Sequence, residues 1–432
     1  MNSRAQRVFV AIWIALAVFL VLRTGPRDRG VIIDHLEFGR RLIAGEELYA
    51  PYLEDKPLHP VYPPSFGLLT APFAACGERA ARWLWGLAQV LALAVVLRAL
   101  ARALADQRPD LARHTHVLLL LTIVLLSRYV LRDAHGGGGN LINLAFAVAA
   151  FCAAEARRPL RAALLLGFSL ATKPTMALLV PVFFAMGHGR AALGSLAALV
   201  GFVGIALALN GQGLAPFRQW LEGSLAYAAQ TDLFAPPAQG FPPFAWMNQS
   251  LRCMVARVFG EVPAEFAAQV PGFVPGLGLS ATTCAWIARI ANVGIAGITV
   301  LAAFRARGDA ARRAFAFAAA LAAGVLLSPI SWKAHHVALL PCAFALGVAA
   351  SASRRARLAW LAFFVACTAG GGDLVGDAVK EWQQSLYLAT LAALALFAWS
   401  VRLALRRSAH CGGTQIVRSP GVSEREPDTG VG

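Results

Sequence analysis

Arg157–Arg190 reads RRPLRAALLLGFSLATKPTMALLVPVFFAMGHGR, and the reading of the fold turns on it. The apolar block inside it, Ala162 to Met186, is long enough for one membrane-spanning helix, but Lys173 and Pro174 sit at its middle. A proline inside a helix removes a backbone donor and clashes with the preceding turn, and a lysine in hydrocarbon is costly. Both flanks are basic, Arg157 and Arg158 on one side, His188 and Arg190 on the other, so both belong to the cytoplasmic face. The stretch therefore predicts two short helices that rise and return, with Lys173 near the apex and protein or a watery cavity around it.

The rest of the chain agrees with a membrane setting. Of 432 residues, 58% are apolar and only 14% charged, outside the usual range for a soluble domain. The formal charge of +16 is spread through the joints between apolar runs, not gathered on one face, so nucleic-acid binding is excluded as the main reading. Full spans are expected at about Phe9–Leu22, Arg82–Leu104, His116–Tyr129, Leu141–Ala156, Ala191–Leu209, Thr283–Phe304, Phe315–Leu327, His336–Ala350, Leu358–Gly370 and Ser385–Leu405. The fold class is thus an all-α polytopic membrane protein with about ten transmembrane helices plus a broken, re-entrant pair. The N-terminal apolar run is too long for a signal-peptide core, lacks a small-residue cleavage site, and reads as a retained first span. Residues 1–407 form the membrane domain, and 408–432 a polar, disordered cytoplasmic tail. The seven cysteines show no metal-ligand spacing, and most read as buried free thiols.

Arginine asymmetry puts both termini inside, in a cell (inner) membrane, and the polar residues then collect on the outer face. Asp34, at the head of a helix-like run to Ala44, is followed by Gly45, Tyr49 and the turn Val61-Tyr62-Pro63-Pro64. A tight turn, Arg132 to Asn140, joins the third and fourth spans. Lys173, Arg252, Trp332, His335 and His336 fall on the same side. A transporter would place its ionisable residues near the bilayer midplane, and only Lys173 qualifies, so chemistry at one surface is favoured over passage through it.

In order, Asp34, Leu48-Tyr49, Tyr62-Pro63-Pro64, a glycine turn ending in Asn140, Lys173-Pro174, Asn248-Gln249-Ser250 and Ser328-Pro329-Ile330-Ser331-Trp332-Lys333-Ala334-His335-His336 resemble one family. It is glycosyltransferase family 87, also catalogued as a domain of unknown function and typified by polyprenyl-phosphate-mannose-dependent mannosyltransferases. The resemblance is strongest over residues 34–341. It implies a type-C glycosyltransferase-like enzyme, a hexosyltransferase that moves a mannose-type sugar from a polyprenyl-phosphate donor to a lipid or glycan hydroxyl in the outer leaflet, with inversion. Asp34 would be the catalytic base. Lys173, His335, His336 and Arg252 would meet the donor phosphate, with Asn140, Tyr62, Tyr49 and Trp332 as further substrate contacts. No cofactor is implied, and a divalent cation is compatible but not required. Members often show Gly-Gln-x-Asn before the fourth span, whereas this chain has Gly137-Gly138-Gly139-Asn140.

Each residue also has a structural reading. Asp34 with Glu37 fits a capping box, and Lys173 fits a side chain snorkelling to the interface. Trp332 and Tyr62 fit an aromatic belt. Helical neighbours such as His335 and His336 lie about 100° apart, so they do not make a metal pair. Gly136–Gly139 follows no strand and lacks the Lys-Ser/Thr of a phosphate loop. At the level of function, a lipid-linked-sugar flippase or an inactive lipid-binding protein are the alternatives.

Overall fold

The computed structural model describes residues 3–26, 30–53, 56–57, 62–236 and 242–406, so the tail 408–432 and Val61 lie outside the described residues. Apart from a minimal antiparallel hairpin, β1 (Pro51–Leu53) with β2 (Lys56–Pro57), the regular structure is helical. In order it comprises α1 (Ser3–Thr24), α2 (Val31–Ala44), α3 (Phe66–Ala74), α4 (Glu78–Gln107), α5 (Thr115–Leu125), α6 (Ser127–Gly136), α7 (Asn140–Glu155), α8 (Pro159–Thr172), α9 (Leu179–Ala185) and α10 (Gly189–Asn210). After these come α11 (Ala215–Ala229), α12 (Leu251–Phe259), α13 (Ala264–Ala267), α14 (Ala281–Arg305), α15 (Ala310–Leu327), α16 (Leu340–Ala352), α17 (Arg354–Phe364), α18 (Gly372–Val375), α19 (Asp377–Ser385) and α20 (Leu388–Leu405).

The chain is a multi-pass membrane protein, but the count of ten spans is not confirmed. Among the described residues seven helices are long and apolar enough to cross, or eight if the bent pair α6–α7 is one span. Two expected spans are divided. Residues 116–129 break at Leu126, so that α6 is a separate helix turned 114° from α7. Residues 358–370 give the eleven-residue α17 followed by a π-helical turn at Val365–Ala369.

The rise and return around Lys173 is present. Lys173 Nζ donates to Asn140 Oδ1 (2.9 Å) at the start of α7, while His188 Nε2 lies 2.8 Å from Glu155 Oε1 at its end. These ends are about 24 Å apart along sixteen helical residues. Hence α8 climbs the length of α7, Lys173 turns the chain, and α9 brings it back. The polypeptide breaks where expected: Lys173 is extended, and Pro174 opens a 3₁₀ turn.

The core runs along α15, where Ala316 to Leu326 is buried without interruption. Its small side chains let α14, α16 and α20 approach closely. At one end of the bundle Glu155 receives both Arg313 Nε and Nη2 at 2.7 Å, joining α7 and α15. The other end carries α2, α3, the α6–α7 turn and the Ser328–His336 segment. The long segment between α10 and α14 builds a small core of its own from Leu233, Phe244, Trp246, Cys253 and Val270. Cys76 and Cys253 are both free thiols, the first exposed and the second buried.

Candidate active site

The first candidate, Asp34, is carried by α2. The helix begins three residues earlier than expected, at Val31 after Gly30, so Asp34 lies within the first turn and is not its cap. The capping box does not form. Glu37 instead bonds Arg40 Nε (2.8 Å) and Arg41 Nε (2.7 Å). Arg40 holds the Glu37 carboxyl below the usual carboxylate range, against the upward pull of partial burial and with Arg41 assisting. Arg41 also donates to the carbonyls of Glu47 and Ala50, which clamps the following loop onto the helix.

That loop ends in an aromatic stack. The Tyr62 ring lies on Phe66 (centroids 4.2 Å), with His35 edge-on at 5.1 Å. Burial pushes the Tyr62 phenol above its ordinary range, and the charges of Asp133 and Asp34 push the same way. Tyr49 has a different job. Its hydroxyl donates to the Tyr62 carbonyl (2.7 Å) and its ring packs on Phe38, so it positions Tyr62 and does not line the cavity described below.

The expected turn from Arg132 to Asn140 is mostly helix. Only Gly137–Gly139 turns, with Gly137 at φ 70° and Gly139 at φ 67°, the left-handed region that glycine enters without penalty. The turn wraps around Asp133, which is fully buried. Its carboxylate accepts from Asn140 N (3.2 Å), Asn140 Nδ2 (2.7 Å) and Leu141 N (2.8 Å), satisfying the first donors of α7 from the preceding helix. A Cβ at Gly138 would strike Asp133 Oδ1 and come within 3.1 Å of Asn140 Nδ2, which accounts for glycine at this position. The Gly138 carbonyl and Asn140 Oδ1 then receive Lys173 Nζ at 2.5 and 2.9 Å, and the ammonium sits 5.3 Å from the Tyr62 ring centre. In a 5%-exposed lysine this is anchorage by named partners, not snorkelling.

Two distant motifs lock together beside this centre. Asn248 Nδ2 donates to the Pro329 carbonyl (3.2 Å), Asn248 Oδ1 accepts from Ser331 N (2.9 Å), and Gln249 N donates to the Ser331 carbonyl (2.8 Å). Asn248 and Gln249 thus act by holding the Ser328–Trp332 loop. The histidines follow in a 3₁₀ helix, Lys333–Leu339. His335 Nδ1 accepts from Trp332 N (3.0 Å), so a neutral ring carries its proton on Nε2. His336 points elsewhere, fully buried and stacked on Tyr129 at 5.0 Å.

A cavity of about 1770 Å³ joins these parts. Asp34, Tyr62, Asn140, Lys173, Trp332 and His335 all line it. Arg252 and His336 do not; Arg252 donates to the carbonyls of Tyr227 (3.2 Å) and Gln230 (2.8 Å), closing the joint between α11 and α12. The sequence reading gave no site role to Arg128 and Arg132, one turn apart on α6, or to Lys333, all on the cavity wall. Their signal was the i, i+4 spacing of two arginines on a segment taken for a span and a turn. Among the described residues no three His, Cys, Asp or Glu side chains gather closely enough to hold a metal ion.

Comparison with known proteins adds the following. The family profile described as Glycosyltransferase family 87 matches residues 61–329, more than half of the chain. A polyprenol-phosphate-mannose-dependent alpha-(1-2)-phosphatidylinositol pentamannoside mannosyltransferase of Mycolicibacterium smegmatis is 26% identical over 295 residues. That alignment covers 68% of this chain and 62% of the relative's length. No solved structure matches.

Proposed function

Because the chain belongs to glycosyltransferase family 87, we propose that it is a membrane glycosyltransferase that moves a mannose-type hexose from a polyprenyl-phosphate donor to a lipid or glycan hydroxyl. The observation that carries this reading is one cavity shared by a carboxylate, Asp34, and by the cationic and neutral donors Lys173 and His335. Asp34 takes the proton from the acceptor hydroxyl as its oxygen bonds to the anomeric carbon, a base contribution of about 10²–10⁴-fold. The bond from that carbon to the phosphate oxygen breaks on the opposite face, so the configuration inverts and polyprenyl phosphate leaves. Negative charge then grows on the phosphate, where Lys173 Nζ and His335 Nε2–H donate to it. Asn140 and Tyr62 hold Lys173 in place, Tyr49 supports Tyr62, and Trp332 flanks the sugar. In this reading Arg252 and His336 serve the site from a distance. A divalent cation is compatible with the chemistry and not required by it.

The relative's name supports the donor class. Orientation follows the arginine-rich joints: both termini cytoplasmic, in the inner membrane, with the cavity at the outer leaflet. The test uses purified protein in lipid nanodiscs, a radiolabelled polyprenyl-phosphate mannose and an envelope lipid extract. Label should move to a new lipid with the wild type and not with Asp34→Asn. Transfer by both proteins would remove Asp34 as the base, and transfer by neither, with glucosyl and arabinosyl donors also inert, would sink the enzyme reading.

A further inference from the structure

A second cavity, of about 670 Å³, lies on the outside of the bundle between α9, α10 and α14. It shares no residue with the cavity around Lys173. The returning helix α9 packs against both α10 and α14 and forms the floor between them. It is only seven residues long, and Ala192 and Gly297 on the flanking helices present little side chain to fill the space beside it. Phe184, Leu193, Leu301 and Phe304 line the groove and are exposed on the bundle's surface. All of the lining is apolar or glycine, so in a membrane it faces hydrocarbon.

The groove ends at two arginine-rich joints. Phe304 is followed by Arg305, and Arg190 lies two residues before Ala192, both arginines being exposed. Arg307 is fixed more closely. Its carbonyl accepts from Arg313 Nη1 (2.7 Å), and its side chain lies across Gly187, where an added Cβ would come within 2.8 Å of Arg307 Nε. Gly187 stands at φ 93° between α9 and α10, so one glycine makes the turn and admits the guanidinium. The acids at this end are engaged elsewhere: Glu155 with His188 and Arg313, and Asp309 in capping α15 through Arg312 N. Among the described residues Arg190, Arg305 and Arg307 make no ion pair.

We propose that this groove binds an anionic glycerophospholipid of the cytoplasmic leaflet, with an acyl chain in the groove and the phosphodiester against Arg305 and Arg307, Arg190 beside them. The proposal rests on the orientation given above and not on the glycosyltransferase reading. Lipid tails are as apolar as the groove, so the chain alone brings little preference. The headgroup decides: an arginine near the surface favours an anionic lipid by about fivefold, and guanidinium forks match phosphate oxygens. The lipid would be a brace, not a substrate. It fills the open side of α9, whose other end leads through Pro174 to Lys173.

The test measures lipid binding by native mass spectrometry on the purified full chain, with phosphatidylglycerol, phosphatidylcholine and undecaprenyl phosphate as probes. Wild type should hold its tightest phosphatidylglycerol at least roughly tenfold better than phosphatidylcholine. Arg305→Gln/Arg307→Gln should remove that preference, and Arg305→Lys/Arg307→Lys should keep most of it. Gly297→Phe fills the groove without a clash at its base, since nothing lies within 4 Å of an added Cβ there. It should lose one bound phosphatidylglycerol at an unchanged melting temperature. No preference in wild type, or no loss in either the glutamine pair or Gly297→Phe, overturns the proposal. Loss of undecaprenyl phosphate from Gly297→Phe would give the groove to the donor's chain, and loss of a dimer would give it to a second copy; either result overturns it too. No arm requires sugar transfer, so a protein inert in every transfer assay would leave this site standing and remove the enzyme reading alone.

Discussion

Asp133 accepts from both nitrogens of Asn140, backbone and side chain, and so decides which way the Asn140 amide faces. With Nδ2 turned to Asp133, Oδ1 can only face Lys173 Nζ. Asp133→Asn leaves a single acceptor oxygen, so its new NH₂ is set against either the two Asn140 donors or the Leu141 N–H. The loss of a hydrogen bond to a charged group is about 1.5–3 kcal/mol, and sugar transfer should fall roughly ten- to a hundredfold. Asp133→Asn/Asn140→Asp restores a donor–acceptor pair and keeps an oxygen for Lys173, so it should recover part of the activity. Steady-state kinetics with labelled donor decides the matter: a double variant worse than the single would show that Asp133 acts only in folding.

Gly138→Ala should be destabilising, since its Cβ meets Asp133 Oδ1 and Asn140 Nδ2. Overpacking of this kind costs about 1–3 kcal/mol. Thermal unfolding in detergent, compared with Gly136→Ala, where nothing lies within 4 Å of the added Cβ, isolates the effect.

His35 supplies a pH dependence. Burial among Tyr62, Phe66 and Trp85, and then the charge of Lys173, hold its imidazole well below the ordinary range. The unfolded chain takes up that proton near pH 6.5, while the folded protein resists it. Stability is therefore intact above about pH 6.5 and declines as pH falls towards the lower folded value. The melting temperature of wild type should drop between pH 7 and pH 5 by more than that of His35→Phe. Equal slopes would mean that His35 is not responsible.

Arg252 separates architecture from chemistry. Arg252→Met removes two donors to backbone carbonyls and should lower stability by about 1–3 kcal/mol. The KM for the polyprenyl-phosphate donor should not move. A raised KM with an unchanged melting temperature would return Arg252 to the substrate side.

Much of the architecture was legible because it depends on periodicity and on the cost of charge in hydrocarbon. The turn at Lys173-Pro174, the arginine-rich joints and the long polar segment before α14 all follow from those terms. The number of spans did not, because apolarity does not reveal that residues 116–129 break at Leu126, or that α6 meets α7 at 114°. At the site, side-chain chemistry picked out Asp34, Lys173 and His335, which do line one cavity. It did not separate them from Tyr49, Arg252 and His336, whose partners are carbonyls or rings far away in sequence. Asp133, one of the polar residues expected on the outer face, was given no role for the same reason: its partners include the backbone donors of another helix.

The Gly138 carbonyl has a consequence for how this site responds to mutation. The ammonium of Lys173 is met at this position by the peptide backbone itself. A backbone oxygen is present whatever residue is encoded, so no codon change at 138 deletes it, and a scan by substitution would find one anchor of Lys173, at Asn140, and remain blind to the other. Revealing it takes a change in the main chain, such as replacing the peptide bond after Gly138 with an ester, whose carbonyl is a poorer acceptor.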